Sequence, residues 1–167
     1  MDIVTFMILK EMYTRFDNLI KKYPSLQKIE TIGDSYMVVG DMYKKYDINI
    51  VINEIINFAE NLLIETKKII APSYKLQLRI GIHIGSAIIG ILGIDKPRLC
   101  VVGNTVNIAA RLQSSTLPDT IQISEKLYSM LQDEDNKSKY VKKENVELKN
   151  ISIINTFIRD NIVSNNI

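Results

Sequence analysis

The stretch Arg98 to Arg111, RLCVVGNTVNIAAR, constrains the fold of this chain more tightly than any other. Leu99 to Val102 is a short apolar run with a β-branched end, and Gly103-Asn104 breaks it before a helical pattern starts, so a strand feeds a helix through a tight turn. Asn104 reads as the helix N-cap. Beyond it Val106, Ala109, Ala110 and Gln113 rotate around the helix, while Asn107 and Arg111, four residues apart, project from one face. An amide and a guanidinium that share a direction suit a polyphosphate ester: the arginine fork holds phosphoryl oxygens bidentately and the amide hydrogen-bonds a sugar. The same spacing also describes a solvated helix face, and from spacing alone both readings stand.

Other residue types narrow the chemistry. The formal charge is only +2 and the lysine pairs at 21-22, 44-45, 67-68 and 142-143 are scattered, which leaves no basic stripe for a nucleic acid. Cys100 is the sole cysteine and His83 the sole histidine, so an internal disulfide and a cysteine-based zinc cluster are excluded, and a Cys-His nucleophile would need these two residues to meet. Carboxylates must do any metal work. The N-terminus lacks a basic leader with a cleavage site, and the most apolar run, Ile80 to Ile94, carries His83 and four glycines and is too short to span a bilayer. The expectation is a cytoplasmic domain with no membrane contact of its own, although a longer parent could be membrane-anchored. At 167 residues the chain suffices for one domain with a substantial core.

In chain order, Phe6, Leu9, Tyr13, Phe16 and Ile20 have the spacing of an amphipathic helix over residues 3 to 21, stopped by Pro24. Lys28 to Ile32 and Tyr36 to Val39 read as two strands around Gly33-Asp34, a hairpin signature. Asp34 is either a turn residue or a carboxylate presented at a hairpin tip, where Mg²⁺ takes one or two carboxylates together with substrate phosphates. A second helix is expected from about Ile48 to Ile70, with Val51, Ile52, Ile55, Ala59, Leu62, Thr66 and Ile69 inward. Leu76 to Ile84 and Ala87 to Leu92 read as a second hairpin around Gly85-Ser86, with His83 a packed strand residue. After the central helix come a strand at Thr120 to Ile123, a helix capped by Ser124, a solvated loop from Asp133 to Lys139, and paired strands at Val146 to Leu148 and Ile153 to Ile158. This alternation implies an α+β fold, an α/β sandwich close to the ferredoxin-like arrangement, with one mainly antiparallel sheet and covering helices.

Together, KIETIGDSYMVVG (Lys28 to Gly40), LRIGIHIGSAIIGILG (Leu78 to Gly93), RLCVVGNTVNIAARLQSS (Arg98 to Ser115) and VELK (Val146 to Lys149) resemble, in order and spacing, the catalytic domain of class III nucleotide cyclases. The resemblance implies a catalytic domain over residues 1–158 and a polar tail over 159–167. It places Asp34 on one of two metal-binding aspartates. Asn107 and Arg111 fall on the pair that orients the ribose and steadies the transition-state phosphate, and Lys149 on a lysine that contacts the nucleotide's phosphates. Purine choice in the family is set by two positions, Lys and Asp in ATP-specific members and Glu and Cys in guanylate cyclases; here they are Glu30 and Cys100. Read without the resemblance, Glu30 is an exposed strand charge and Cys100 a buried small hydrophobe.

The implied activity is guanylate cyclisation of GTP to 3′,5′-cyclic GMP and pyrophosphate, with two Mg²⁺ or Mn²⁺ ions per complete site. The implied partner is a second cyclase catalytic domain, in a homodimer or heterodimer, because in the family the site lies between two domains. The alternative is a non-catalytic nucleotide-binding or dimerisation module that regulates a complete cyclase. The sequence departs from the family at its start: Asp2-Ile3-Val4-Thr5-Phe6 copies the letters of the other metal motif but falls where the first helix should already be running. The expectation is therefore an N-terminally truncated domain in which Asp2 is not a ligand, and whose isolated homodimer is nearly inactive with Mg²⁺. Asn150-Ile151-Ser152 also departs, where the family has glycines after the lysine.

Overall fold

Helix α1 (Ile3–Ile20) buries Met12, Phe16 and Leu19 along one side, the stripe its apolar period requires. The computed structural model describes residues 3–69, 75–148 and 152–159, which fall into two compact units, Met1–Leu78 and Arg79–Ile167. Among the described residues no helix is long and apolar enough to cross a membrane.

In the first unit β1 (Leu26–Ile32) and β2 (Ser35–Gly40) form an antiparallel hairpin closed by Gly33 and Asp34. Gly33 has φ +60°, a left-handed value that glycine adopts without a Cβ penalty and that two-residue hairpin loops use. The register shifts between Lys28, opposite Val38, and Glu30, opposite Met37, so Ile29 is a bulge residue; bulges bend a strand and re-aim the side chain that follows. Helix α2 (Ile48–Lys67) begins at Asp47, whose carboxylate accepts from the Asn49 N–H at 2.8 Å, an N-cap that satisfies one orphan donor. Its inner face holds Val51, Ile52, Ala59, Leu62 and Thr66 as expected, and Ile56, Phe58 and Leu63 besides; Ile55 is only half-buried. Buried Ser25 is stapled to this helix, its N–H and hydroxyl both donating to Glu54 Oε2 at 2.9 and 2.7 Å.

The second unit is built on a four-stranded sheet in the order β3-β6-β8-β7, comprising β3 (Arg79–Ile82), β6 (Thr120–Ser124), β8 (Ser152–Arg159) and β7 (Val141–Leu148). β3 runs parallel to β6, and the other neighbours are antiparallel. A separate antiparallel ribbon joins β4 (Ile88–Leu92) to β5 (Arg98–Val102). Central β6 is buried at every position; its Gln122 donates to Thr156 at 2.9 Å and accepts from Ser115 at 3.4 Å, as a buried amide must.

Helix α3 (Asn104–Ser115) lies against β3 and buries Leu112 completely. Helix α4 (Glu125–Met130) starts from Ser124, whose hydroxyl accepts from the Leu127 N–H at 3.3 Å, the cap foreseen for it.

The α+β reading holds, with antiparallel pairing dominant, but four expectations need correction. No hairpin joins β3 to β4: residues 83–87 are not strand, and the Thr105 hydroxyl ties the Ser86 carbonyl to α3 at 2.6 Å, so the chain is carried away before it can turn back. In place of one sheet, the described strands make three separate sheets. The expected loop at 133–139 contains a short helix, α5 (Glu134–Ser138), because Asp133 caps it by accepting from the Asp135 N–H at 3.0 Å. The C-terminal strand also runs to Arg159, which is buried, one residue into the expected tail; residues 160–167 lie outside the described residues.

Candidate active site

In the first unit the candidate residues sit on the β1–β2 hairpin. Glu30 is half-buried, immediately after the bulge, and Asp34 is exposed at the tip. The tip is held from α1: the Tyr13 hydroxyl donates to the Gly33 carbonyl at 2.6 Å and lies 3.5 Å from that of Ser35. The Tyr13 ring stacks on Tyr36 at 6.0 Å between centroids, and Phe16 meets Tyr36 edge-on at 5.4 Å. Asp17 accepts from the Tyr36 hydroxyl at 2.8 Å and from Lys28 at 2.8 and 2.9 Å, while the Lys28 ammonium stands 5.1 Å from the Tyr36 centroid, within cation–π range.

The electrostatics follow from these contacts. Burial alone would raise the Asp17 carboxyl, but the hydrogen bonds from Lys28 and Tyr36 and the charges of Lys28 and Lys21 outweigh it and hold the group below the usual carboxylate range. Burial, then the adjacent Asp17, push Tyr36 upward. Tyr13 is raised as well, first by burial and then by the negative charge of Asp34. Tyr13, Asp17, Lys28 and Tyr36 were not among the sequence-derived site residues. The available signal was the pair Tyr13 and Asp17, four apart on α1 and thus on one helical face.

In the second unit Cys100 occupies the middle of β5, half-buried and paired with Gly90. Having no side chain, Gly90 leaves the partner strand bare beside it. The cap of helix α3 lies one residue earlier than expected: Gly103 is the N-cap, at φ 139°, and makes no side-chain cap bond, while Asn104 is the first helical residue. The reason is backbone geometry, since the Gly103 carbonyl accepts from the N–H groups of Val106 and Asn107 at 3.1 and 3.3 Å. Asn107 is exposed and Arg111 half-buried on successive turns, with Leu112 beside Arg111 anchoring the helix.

His83 lies just past the end of β3, half-buried, with Nδ1 2.8 Å from the Ser124 hydroxyl. Burial, then the Lys126 charge, hold its pKa below the ordinary value, as expected of a packed histidine. Lys149 and Asp2 lie outside the described residues, and Ile3 to Phe6 are helical.

Among the described residues no three His, Cys, Asp or Glu side chains gather to hold a metal. Asp34 nonetheless fits as a single ligand: it is exposed, it has no hydrogen bond or ion pair among the described residues, and Mg²⁺ takes one or two carboxylates with substrate phosphates completing its shell.

The family model for the adenylate and guanylate cyclase catalytic domain matches residues 2–160. A receptor-type guanylate cyclase of Caenorhabditis elegans is 36% identical over 137 residues, covering 80% of this chain and 10% of its own length. The human guanylate cyclase soluble subunit beta-2 is 34% identical over 152 residues, covering 90% of this chain and 24% of its own. The chain thus spans between about a tenth and a quarter of the length of these two relatives. Among solved structures, the guanylate cyclase domain of RhGC from Catenaria anguillulae, in complex with GTP, superposes with TM-score 0.80 at 27% identity, covering 93% of this chain and 82% of that one. The guanylyl cyclase Cya2, at 18% identity and TM-score 0.76, shares the fold. The chain belongs to the adenylate and guanylate cyclase catalytic domain family.

Proposed function

We propose that this chain is a guanylate cyclase catalytic domain that converts GTP to 3′,5′-cyclic GMP and pyrophosphate at the interface of a dimer with a second catalytic domain. The observation that carries the reading is Glu30 in a chain whose relatives are guanylate cyclases. A carboxylate accepts from guanine N1–H and the exocyclic amine, whereas adenine presents an N1 acceptor that it would repel. Cys100 contributes to the same choice. Asn107 orients the ribose, and Arg111 stabilises charge that grows on the phosphate as the 3′-oxygen attacks the α-phosphorus and the bond to the departing pyrophosphate breaks. Lys149 holds the phosphates. Asp34 is the metal ligand contributed by the described residues. When bound, two Mg²⁺ or Mn²⁺ ions would activate the 3′-hydroxyl and neutralise the triphosphate. The domain works in the cytoplasm, within a parent that is either soluble or anchored elsewhere, as its soluble and receptor-type relatives both allow.

The test is turnover of GTP and ATP with Mn²⁺ by the purified chain, alone and mixed with a second cyclase catalytic domain. Cyclic GMP as the product supports the reading, and cyclic AMP as the main product overturns it. GTP binding without cyclisation under both conditions supports the regulatory module instead.

A further inference from the structure

The β1–β2 hairpin ends in a two-residue loop on a two-stranded ladder, the kind of element that is marginal by itself. Its tip carries an exposed carboxylate, Asp34. One side chain from outside the hairpin reaches the backbone on both sides of that carboxylate: the Tyr13 hydroxyl, 2.6 Å from the Gly33 carbonyl and 3.5 Å from that of Ser35. A hydroxyl has one proton, so the short contact to Gly33 is the hydrogen bond and the longer one an alignment with Ser35.

Tyr13 is itself well seated. Its ring stacks on Tyr36, one residue beyond Ser35, and Tyr36 is locked by Asp17, which also holds Lys28. Helix α1 therefore grips the hairpin twice, through the Tyr36 side chain along the strand and through the Gly33 backbone at the tip. The first grip is made by packing and an ion pair. The second is one hydrogen bond with no packing function, placed next to the only residue of the loop that bears charge.

We propose that Tyr13 is a positioning residue for Asp34, its hydroxyl fixing the Gly33–Asp34 peptide so that the carboxylate is presented to a divalent cation in one orientation. This rests on the metal role proposed for Asp34. A ligand on a free hairpin tip must be ordered when the ion binds, and a tethered one is ordered beforehand, so the tether contributes to cation affinity in the way outer-shell partners of metal ligands do.

The experiment is a Mn²⁺ titration of the ¹⁵N-labelled full chain in the presence of a non-cyclisable GTP analogue, whose phosphates complete the cation's shell, read by paramagnetic broadening of the Asp34 and Ser35 amide resonances, beside thermal melts of each variant. Tyr13→Phe keeps the ring and its stacking and removes only the hydroxyl. It is expected to raise the half-broadening Mn²⁺ concentration about tenfold, the scale on which outer-shell partners act, with a melting temperature close to wild type. Tyr36→Phe, which loses the bond to Asp17, is expected to lower the melting temperature and leave the Mn²⁺ midpoint in place. Asp34→Asn should abolish the specific broadening. A wild-type midpoint in Tyr13→Phe alongside a weakened Asp34→Asn overturns the positioning role and spares the metal reading. Unchanged broadening in Asp34→Asn overturns both.

Discussion

Gly81 lies directly beneath α3: a Cβ built on it would run into the backbone nitrogen of Gln113 and the backbone carbonyl of Ala109. A strand glycine often marks such a close backbone approach, and here it lets the helix that carries Asn107 and Arg111 rest on β3 without an intervening side chain. The contacts are with backbone, so no rotamer change can relieve them. Gly81→Ala is expected to cost about 1–3 kcal/mol, the usual cost of overpacking, and to reduce GTP turnover by displacing α3. Urea unfolding of the chain, and kcat of the same preparation mixed with a second cyclase catalytic domain, check both halves.

Base choice is the most direct test of the candidate site. Glu30→Lys combined with Cys100→Asp inverts the donor and acceptor pattern offered to the purine edge. The preference for GTP over ATP should fall by roughly a hundredfold or more, since leaving buried polar groups unpaired discriminates strongly. Competition between the two nucleotides decides it; an unchanged preference for GTP removes these two residues from the purine site.

In an active assembly with a second cyclase catalytic domain, Arg111→Ala of this chain should lower kcat by about a hundredfold while changing KM for GTP much less, the pattern of a group that acts on charge developing in the transition state. A raised KM with kcat intact would make Arg111 a ground-state phosphate binder.

His83 offers a clean pH test because it is the only histidine. Burial and Lys126 hold its folded pKa below the ordinary value, so as pH falls below about 6.5 the unfolded chain takes up a proton that the folded chain refuses. Stability should therefore decline through that window as the solution is acidified. His83→Gln should flatten the decline between pH 7 and 5.5, where no other side chain titrates at its ordinary value. Urea midpoints across that range provide the measurement; equal slopes in both proteins would contradict the assignment.

Much of this protein was legible before folding. Apolar spacing placed α1 and α2, the Gly33-Asp34 pair marked the hairpin, and Ser124 announced α4, because caps, turns and periodic faces are local devices whose physics is complete within a few residues. Residue identity likewise determined the chemistry on offer: one histidine and one cysteine exclude whole classes of site, and the motifs that contain Glu30, Asp34, Asn107 and Arg111 carry the family resemblance from which their nucleotide-binding roles are proposed.

What only the tertiary structure decided is non-local. Whether β3 pairs with β4 or with β6 depends on where α3 and the Thr105–Ser86 bond carry the chain, and no periodicity encodes that choice. The capping of α3 by Gly103 was set by a backbone carbonyl accepting two N–H groups, against the side-chain preference that pointed to Asn104. The tether from Tyr13 to Gly33 joins residues 20 apart in sequence; it exists only because burying Phe16 against Tyr36 brings α1 alongside the hairpin. Local chemistry thus named the groups, and packing determined which backbone each could reach.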